Sequence, residues 1–441
     1  MTGQVSATRQ SGLSDTDSSQ QSLGGTLSAN RKLLTLPAGP VIVNLFTQAS
    51  RSRTTTMIGG AEQAFSGHNV NLGATLSVPL WRTPSPGQGS VVSHALGSLS
   101  ATLGGNVRQT DAGQGKGVNA GLSWLPLGKF RLTGNWSRST DSVSDAQRFA
   151  PEYYGAPITV FDFVTGQSAE VLPILGGTPD LRPPRFDRVA LSALAGPFLP
   201  WNVAGSVSLQ RSNAANSAGP LPAVTPELEA AFPDRFRRDA TGRLTAIDQR
   251  PINFASTRTE SLASNLGASF PLGEAAPGKP RGTLRLTLNH NLQLRNVTTI
   301  HASLPPMNRL VGDGGGVPRQ QLDVQVDGRR GAWGLNMAAR WRSGYRTRRD
   351  TGRDSAGDLR VSPVGTIDLR FSYVLQRAIR PSQSGVTPRR GAGIQFGLDV
   401  INVFDARPGA SLGDGRPAPG YGRDDQDPVG RAVRLFARSR F

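Results

Sequence analysis

The last nine residues, Val433-Arg-Leu-Phe-Ala-Arg-Ser-Arg-Phe441, alternate between apolar and polar, mostly basic, side chains. Successive side chains of a β-strand point to opposite faces, so a period of two predicts a strand with one apolar and one polar face. The polar parity holds Arg434, Arg438 and Arg440. The apolar parity, which ends on an aromatic residue, holds Val433, Leu435, Ala437 and Phe441. We therefore expect residues 431–441 to form the last strand of a sheet.

The same alternation recurs along most of the chain. Its clearest example runs from Leu284 to Arg295, where leucines alternate with Arg, Thr, Asn and Gln. One-sided alternation over about ten residues suits a tilted transmembrane strand, which needs roughly 9–11 residues. A strand of a soluble sandwich is usually about 5–6 residues long. The sequence therefore predicts an all-β fold, a transmembrane antiparallel β-barrel with an apolar face toward lipid and a polar face toward a lumen.

About 15–16 segments of this kind can be recognised. They lie at residues 19–36, 40–54, 68–81, 93–107, 116–125, 128–139, 186–196, 200–211, 257–271, 281–297, 318–327, 331–345, 363–376, 389–404 and 431–441, with residues 1–9 as a further candidate. Tight connections, such as Leu36–Pro40 and Asp327–Gly331, alternate with long ones at 55–67, 140–185, 212–256, 298–317, 346–362 and 405–430. Short periplasmic turns and long extracellular loops are typical of outer-membrane barrels.

The composition is compatible with a barrel. Of the 441 residues, 37% are hydrophobic, the mean hydropathy is −0.30 and cysteine is absent, which excludes a disulfide framework. No segment approaches the roughly 20 apolar residues of a membrane helix. The net charge of +18 leaves a basic soluble β-protein that binds nucleic acid as an alternative of another class. Against it, the charge is spread over the chain without an aromatic–basic module, so nucleic acid is not an expected partner.

The sequence contains no recognisable catalytic or cofactor-binding constellation. Its four histidines are scattered, and the glycine-rich segment 311–317 lacks the lysine of a phosphate-binding loop. The acidic group at residues 424–427 lacks the spacing of an EF-hand calcium loop. We therefore expect a protein that is not an enzyme and that needs neither a metal nor an organic cofactor.

The C-terminal region resembles the end of TonB-dependent outer-membrane receptors. Asp399-Val-Ile-Asn-Val-Phe-Asp405 is similar to that family's penultimate strand, and Asp427-Pro-Val-Gly-Arg431 to the turn before its last strand. Segments 221–226 and 231–235 resemble an extracellular loop of the larger, carboxypeptidase-regulatory-like members. The residues that carry the C-terminal motif are Asn402, Phe404, Asp405, Asp427, Pro428, Gly430 and Arg431.

The resemblance implies a barrel of about 22 strands, filled by an N-terminal plug that carries a TonB-contacting box and follows a signal peptide. Residues 1–441 show none of these three parts, so we expect a partial barrel in a Gram-negative outer membrane, provided that a signal peptide exists upstream. The implied function is uptake of a bulky solute such as an oligosaccharide, siderophore or peptide. A 16-stranded, porin-like passive channel is the alternative. The TonB system is an expected partner only if missing upstream sequence supplies a plug.

Three sets of residues have expected roles in such a barrel. Arginines of the polar parity would form a cationic lumen wall, namely Arg131, Arg285, Arg340, Arg370 and Arg434. Arginine clusters at 235–238 and 346–349 lie in long loops, where they would contact lipopolysaccharide phosphates beside the membrane lipid. The last strand would be recognised by the barrel assembly machinery through strand pairing and an aromatic anchor. Val433, Leu435, Ala437 and Phe441 would carry that assembly signal.

Overall fold

The structure is a computed structural model. It describes residues 2–12, 18–58, 61–84, 90–111, 113–162, 164–222, 224–274, 281–376, 393–422, 425 and 429–440.

Seventeen strands of the described chain form one sheet, and sixteen of them are long. With every strand numbered in chain order, the long strands are β1 (Thr2–Gly12), β2 (Ser18–Leu36), β3 (Gly39–Ile58), β4 (Ala61–Trp81), β5 (Ser98–Thr110), β6 (Gly113–Leu125), β7 (Phe130–Thr140), β11 (Arg185–Phe198), β12 (Val203–Ala215), β17 (Ser256–Leu272), β18 (Gly282–Thr299), β20 (Gln320–Arg330), β21 (Trp333–Arg342), β24 (Val364–Gln376), β25 (Gly393–Ile401) and β27 (Ala432–Arg440).

The remaining elements are short and lie in the connections. The short strands are β8 (Tyr153–Tyr154), β9 (Ile158–Asp162), β10 (Gln167–Leu175), β13 (Ser217–Gly219), β14 (Phe236–Arg238), β15 (Leu244–Asp248), β16 (Ile252–Phe254), β19 (Met307–Asn308), β22 (Tyr345–Thr347), β23 (Leu359–Val361) and β26 (Ala410–Leu412). The helices are α1 (Val91–Leu96), α2 (Asp145–Phe149), α3 (Pro226–Ala231) and a 3₁₀ turn at Pro233–Arg235. Among the described residues, no helix has the length and apolar character needed to cross a membrane.

The long strands form an up-and-down meander in which each strand is antiparallel to the next long strand of the chain. The ladder of β17 and β18 shows the regularity, since it runs from Ser256↔Thr299 to Leu272↔Gly282 with one bulge. At the two ends of the meander, β1 pairs with β2 and β27 pairs with β25. No ladder between described residues joins β1 to β27.

The expected all-β antiparallel fold is confirmed, and each of the fifteen expected strands, with the further one at the N-terminus, is present. Two expected boundaries were wrong. Residues 55–67 are largely strand rather than a long loop, because β3 and β4 continue their ladder as far as Ile58↔Ala61. The run Thr54-Thr55-Thr56 favours extended backbone although it lacks an apolar face. Residues 91–96 form α1, so that β5 begins only at Ser98.

Residues that pair directly across an antiparallel ladder share a face, so the register assigns every side chain to one of two faces. One face carries leucine, valine and aromatic side chains, for example Leu288 opposite Val324 and Leu398 opposite Leu435. We call it the apolar face. The opposite face, called the polar face below, carries the intervening Arg, Asp, Asn, Ser and Thr residues. The period-two alternation in the sequence is therefore the alternation between these two faces.

The connections differ at the two ends of the meander. At the end called the turn end, residues 37–38, 126–129, 199–202 and 331–332 form tight turns. At the other end, called the loop end, residues 141–184, 216–255, 300–319, 343–363 and 402–431 form long connections that contain the short strands and two of the helices. The first connections of that end are short, because β3 and β4, and β5 and β6, meet almost directly.

Among the described residues, most buried apolar side chains lie in the long connections rather than in the long strands. Loop module A consists of residues 141–184, 216–255 and 300–304, and its five-stranded sheet has the order β14-β15-β10-β8 with β9 paired to β10. The parallel pair β10–β15 joins two connections that are far apart in sequence. Its core contains Ala169, Val171, Leu221, Leu228, Phe236, Leu244, Ile247, Ile252, Ile300 and Leu304.

Candidate functional site

The apolar face exposes large side chains along its whole width. Leu72, Leu103 and Leu191 are 56%, 55% and 50% exposed, which would be costly in water if no lipid or partner covered them. Aromatic side chains stand near the strand ends. Trp333 lies 4.8 Å from Tyr373, and Trp201 lies 5.7 Å from Phe270, both measured between ring centroids. An apolar band edged by aromatic rings is the surface that a transmembrane barrel presents to a bilayer.

The polar face carries a continuous row of charged and amide side chains across six neighbouring strands. Direct ladder pairing from β18 to β27 places the following residues side by side: Arg285, Asp327, Asn336, Arg370, Asp399 and Arg434. Neighbouring charges along this row have opposite signs, and the one neutral residue, Asn336, separates Asp327 from Arg370. Opposite charges in directly paired positions stabilise a sheet.

Asp399 is the centre of the row. Arg370 donates from Nε and Nη2 to its two carboxylate oxygens at 2.6 and 3.0 Å, and Arg434 donates from Nη2 at 2.6 Å. The Asp399 carboxylate is nearly buried, whereas the two guanidinium groups are half or more exposed. The Arg370 guanidinium also lies 5.7 Å from the ring centroid of Phe436, which packs flat against Gly397 on the same face. The arrangement fixes the two arginine side chains while leaving their outer edges open.

The structure places the five arginines of the expected lumen wall on the polar face, but it does not bring all of them together. Arg285, Arg370 and Arg434 belong to the row. Arg340 lies on β21, four residues from Asn336 of the row, and is paired with Asp323. Its guanidinium approaches the Asp368 carboxylate with a 3.4 Å N–O distance. Arg131 lies on the distant strand β7, opposite Leu194. Sequence reasoning missed the aspartates of this face, although their shared parity with the arginines was a usable signal.

The family-like motif forms a turn that connects β25 to the start of β27. Asn402 and Asp405 have φ angles of 51° and 53°, a left-handed conformation that Asn and Asp tolerate better than most residues. The Asn402 side chain bonds the backbone of Ala406 twice, as donor and as acceptor, at 2.9 Å. The Asp405 carboxylate accepts from the backbone N–H of Arg431 at 3.0 Å. These hydrogen bonds hold the turn together and connect it to Arg431, the residue before β27.

Other motif residues differ in how they participate. Gly430 has a φ of 59°, and an added Cβ would collide with Asp405 and Arg407. Phe404 is 68% exposed. Asp427 and Pro428 lie outside the described residues.

The last strand, β27, presents Val433, Leu435 and Ala437 on the apolar face, opposite Val400, Leu398 and Phe396 of β25. Val433 and Leu435 are 65% and 80% exposed. The terminal Phe441 lies outside the described residues. In the described chain, the second edge of β27 has no ladder partner, so its backbone groups are available for pairing with another strand.

Loop module A is held by a buried ion pair that spans the two connections. Arg238 on β14 donates from Nη1 and Nη2 to the carboxylate of Asp162 on β9, at 2.8 and 2.9 Å. It also donates from Nη2 to Glu229 of α3 at 2.7 Å. The Asp162 side chain is fully buried. Its hydrogen bonds from Arg238 hold the pKa of Asp162 well below its usual range, against the opposing effect of burial.

A second ion-pair group closes the other side of the same module. Arg235 and Arg250 both donate to Asp248, at 3.0 and 2.6 Å, and Arg250 reaches Glu152 at 2.8 Å. Burial raises the pKa of Asp248, but hydrogen bonds from Arg250 outweigh it, so that the pKa lies below its usual value. The segment that resembles a receptor loop is structural here, since Thr225 caps α3 and Leu221 lies in the core.

Loop module B consists of residues 307–319, 343–363 and 402–421, with the small sheet β22-β23-β26. Arg346 donates to the buried Asp358 at 2.6 Å, and Arg348 to the nearly buried Asp313 at 3.2 Å. Both arginines also bind Asp354 at 2.8 Å. Burial raises the pKa of Asp358, but hydrogen bonds from Ser355, Arg349 and Arg346 outweigh it and keep this carboxyl ionised.

These pairs involve four arginines of the two clusters for which contacts with lipopolysaccharide are expected. Arg235, Arg238, Arg346 and Arg348 are engaged inside the loop modules and are about one-fifth exposed. Their partners lie as far as 76 residues away in the sequence. Arg237 and Arg349 of the same clusters are exposed, so lipopolysaccharide binding by the clusters stays a prediction.

Within the described residues, no group of three or more His, Cys, Asp or Glu side chains is placed to hold a metal ion. The buried aspartates of the two loop modules, Asp162, Asp248, Asp313 and Asp358, are each bound by an arginine.

Solved structures of outer-membrane receptors share this fold. A mutant of the ferric enterobactin receptor PfeA from Pseudomonas aeruginosa has a TM-score of 0.56 and 14% sequence identity, over 96% of this chain and 53% of that chain. The siderophore receptor PirA from Acinetobacter baumannii has a TM-score of 0.53 and 13% identity, over 96% and 55%. The outer membrane transporter YddB from Escherichia coli has a TM-score of 0.54 and 10% identity, also over 96% and 55%.

The fold is therefore that of a transmembrane β-barrel of the outer-membrane receptor type. More narrowly, it is the barrel fold of TonB-dependent siderophore receptors, as the C-terminal motif indicated. At these identities the likeness concerns the fold alone, and the chain spans about half the length of the solved structures that it matches. No protein-family profile matches the sequence, and a search of curated proteins found no match.

Proposed function

We propose that this chain forms the barrel portion of an outer-membrane receptor that takes up a bulky solute. The loop modules would bind the solute at the extracellular side, and the polar face would line the path across the membrane, with no chemistry on the solute. The observation that carries the proposal is the division of one sixteen-strand meander into an exposed apolar face and a charged polar face, with long packed loops at the loop end of the described chain.

The proposal places the chain in the outer membrane of a Gram-negative bacterium, where lipid and lipopolysaccharide would surround its apolar face. It includes the TonB system only if sequence beyond residues 1–441 supplies a plug. The solved receptors with this fold are named for siderophores and for ferric enterobactin, which supports a bulky iron chelate as the class of solute.

The charge of the polar face supports an anionic solute. From β18 to β27 this face carries seven arginines against four aspartates, an excess of three positive charges among the described side chains. The arginines are Arg285, Arg329, Arg340, Arg342, Arg370, Arg434 and Arg438, and the aspartates are Asp323, Asp327, Asp368 and Asp399. A cleft lined by one sign of charge concentrates ions of the opposite sign.

The first test is whether the strands close a barrel in a membrane. The chain from Met1, fitted with an exported signal, is recovered from outer membranes with detergent and run on a semi-native gel. Faster migration before boiling than after it is the expected result if the described strands, with or without a partner strand, form a closed barrel. Extraction by salt alone, without detergent, would contradict the membrane assignment and favour a basic soluble protein.

The solute path is tested by ion selectivity in planar bilayers. Under a KCl gradient, the reversal potential should show preference for chloride, and the double variant Arg285→Gln/Arg340→Gln should lower that preference several-fold, because two cationic groups leave the path. The variant Arg51→Gln/Arg53→Gln is a matched control, since both of its residues lie on the apolar face of β3. An unchanged reversal potential in the first variant would contradict a path along the polar face.

A 16-stranded, porin-like channel is a second candidate, because sixteen long strands are within the usual size of porins. It requires β1 and β27 to pair, and no ladder joins them in the described chain. Heat-modifiable migration with high open conductance in the absence of any added segment would favour this candidate. Migration that shifts only when an upstream segment is co-expressed would favour the receptor.

We also propose that β27 carries the assembly signal, read by the barrel assembly machinery through strand pairing and the terminal Phe441. Deleting Phe441 should lower the amount of chain inserted in the outer membrane by several-fold, because the aromatic anchor is lost, while synthesis is unchanged. The measurement is quantitative blotting of outer membranes against total cells. The variant Ser439→Ala serves as a control within the same strand. Equal insertion of the deletion and the parent chain would refute the role of Phe441.

A further inference from the structure

A cluster of basic side chains lies on the apolar face, at the loop end of β6, β7, β11, β12, β17 and β18. The register places these residues on the same face as the leucines below them, so they point away from the polar face. We call this cluster the basic rim. Its members are Lys116, Arg138, Arg185, Arg211, Arg258 and Arg295.

The basic rim has more positive than negative charge. Two acidic residues share the surface: Asp187 binds Arg138 at 2.7 Å, and Glu260 approaches Arg211 at 3.5 Å. The guanidinium-bearing side chains of Arg138 and Arg211 remain 67% and 55% exposed. Six basic against two acidic residues leave an excess of four positive charges on the outside of the sheet. Across the ladders, Lys116 and Arg185 flank Thr140, which places their backbones roughly 10 Å apart.

An apolar groove lies directly below the basic rim. It has a volume of about 440 Å³ and is open to the surface, and Gly134 is one of the residues that line it. A glycine at position 134 keeps the groove open, because a larger side chain there would occupy the groove and contact Leu191. The apolar side chains that line the groove are Leu122, Trp124, Leu132, Leu191, Val207 and Leu209.

The distance between the basic rim and the groove suits a lipid whose anionic head group contacts the rim and whose acyl chain enters the groove. Gly134 and Arg138 are four residues apart on β7, which corresponds to roughly 13 Å along the strand. Trp136 stands between them, and the Arg138 guanidinium lies 5.8 Å from its ring centroid. A ligand that fits both parts must have acyl chains at one end and a strongly anionic group at the other. Arginine and lysine bind phosphate groups through charge-assisted hydrogen bonds.

We propose that this surface binds a phosphorylated glycolipid of the outer leaflet, with its phosphates on the basic rim and one acyl chain in the groove at Gly134. The site rests on the proposed function, since it requires the apolar face to lie in a membrane. It assigns lipopolysaccharide binding to the outward face of the sheet instead of the loop clusters at 235–238 and 346–349. A free phosphate would use the rim alone, and a neutral lipid the groove alone.

The test uses the full chain in detergent micelles, titrated with fluorescent hexa-acylated lipid A that carries two phosphates. The variant Lys116→Gln/Arg185→Gln should weaken binding roughly thirtyfold, because two cations leave the rim. The variant Gly134→Leu should weaken it about tenfold, since the groove then holds less of an acyl chain. Arg51→Gln/Arg53→Gln, on the same face of β3, is the matched control and should bind like the parent chain.

Two further arms separate the alternatives. Dephosphorylated lipid A should bind the parent chain as weakly as lipid A binds the rim variant. Inorganic phosphate, compared with chloride at equal ionic strength, should not displace lipid A. Equal binding of both lipids, or full displacement by inorganic phosphate, would overturn the combined site, as would parent-like affinity of both variants.

Insertion is measured in the same samples by quenching of tryptophan fluorescence with brominated acyl chains. Quenching that is equal in the parent chain and the variants is expected. Absence of quenching in the parent chain would count against the membrane barrel itself. If quenching is normal but the rim and groove variants bind lipid A with unchanged affinity, the proposed lipid site is refuted. The membrane barrel is not contradicted by that result.

Discussion

Replacing Arg238 with leucine should open loop module A while the long sheet stays folded. The substitution removes two hydrogen bonds to Asp162, whose carboxylate is fully buried. Removing one partner of a buried ion pair typically costs about 3–5 kcal/mol, because the other charge is left without compensation. If cleavage requires opening of the module, proteinase K should cut the Arg238→Leu variant roughly a hundredfold faster than the parent chain.

The neighbouring Arg237 provides a matched control. It lies on the same strand, but it is exposed and makes only a 3.4 Å contact with the hydroxyl of Tyr154. Arg237→Leu should therefore be cut at nearly the parental rate, since exposed side-chain interactions contribute little. Equal cleavage rates for the two variants would show that the Arg238 pair does not hold the module. Fragmentation of the long strands would show that the loops and the sheet are not independent.

The same pair predicts a pH dependence with a definite sign. Hydrogen bonds from Arg238 lower the pKa of Asp162 in the folded state, so its contribution is present above the unfolded pKa of about 4 and is lost as the pH falls below it. With an acid protease, the ratio of cleavage rates between Asp162→Asn and the parent chain should shrink by roughly eightfold from pH 5 to pH 3. Comparing the two chains at each pH cancels the activity of the protease. A constant ratio would contradict the assignment.

A charge on the apolar face should block insertion, whereas the same charge on the polar face should be tolerated. Val324 lies on the apolar face of β20, opposite Leu288 and Ala339, and its neighbour Gln325 lies on the polar face, opposite Thr287 and Ala338. Arginine at a lipid-facing position near the middle of the bilayer costs about 2–4 kcal/mol. Val324→Arg should therefore lower recovery from outer membranes by at least roughly thirtyfold at equilibrium.

Gln325→Arg is the control, because it adds the same side chain one residue further along the same strand. Its recovery should match that of the parent chain, and its effect should be confined to the ion selectivity of the path. The measurement is heat-modifiable protein in the outer membrane, normalised to total synthesis. The reverse order of the two variants would mean that the faces are assigned the wrong way round. Equal recovery of both would mean that lipid does not cover the apolar face.

The alternation of apolar and polar residues predicted the sheet, because within each strand it shows which residues lie on which face, without information from the other strands. In Leu284 to Arg295 the alternation holds up to the bulge except at His290, and the same residues form ladders with β17 and β20. The end of β25 was also recognisable, since Asn402 and Asp405 carry the left-handed turn that the motif requires. The errors at residues 55–67 and 91–96 arose where the apolar alternation was weak, so that β-propensity or a helix decided the outcome.

The loop modules could not be predicted in the same way. Arg238 was visible as part of a basic cluster, but its partner Asp162 is 76 residues away, and the parallel pairing of β10 with β15 helps to bring their connections together. The lumen-wall arginines were placed by parity, whereas their aspartate partners, such as Asp399, depended on the register between strands. The basic rim was missed because most of its basic residues have the sequence parity of the apolar residues, where an apolar side chain was expected. Arg295 has the polar parity, and a bulge in the ladder of β17 and β18 moves it to the apolar face.

The sequence by itself determined the all-β fold, the two faces of most long strands and the number of long strands in the described chain. These depend on side-chain periodicity and on short-range backbone preferences, which each segment carries alone. Only the tertiary structure decided which charges are buried and paired, which are exposed, and where a groove lies beneath a cationic rim. Those properties depend on the register between strands and on contacts between distant loops, because burial and electrostatic pairing are set by neighbours in space and not by neighbours in the chain.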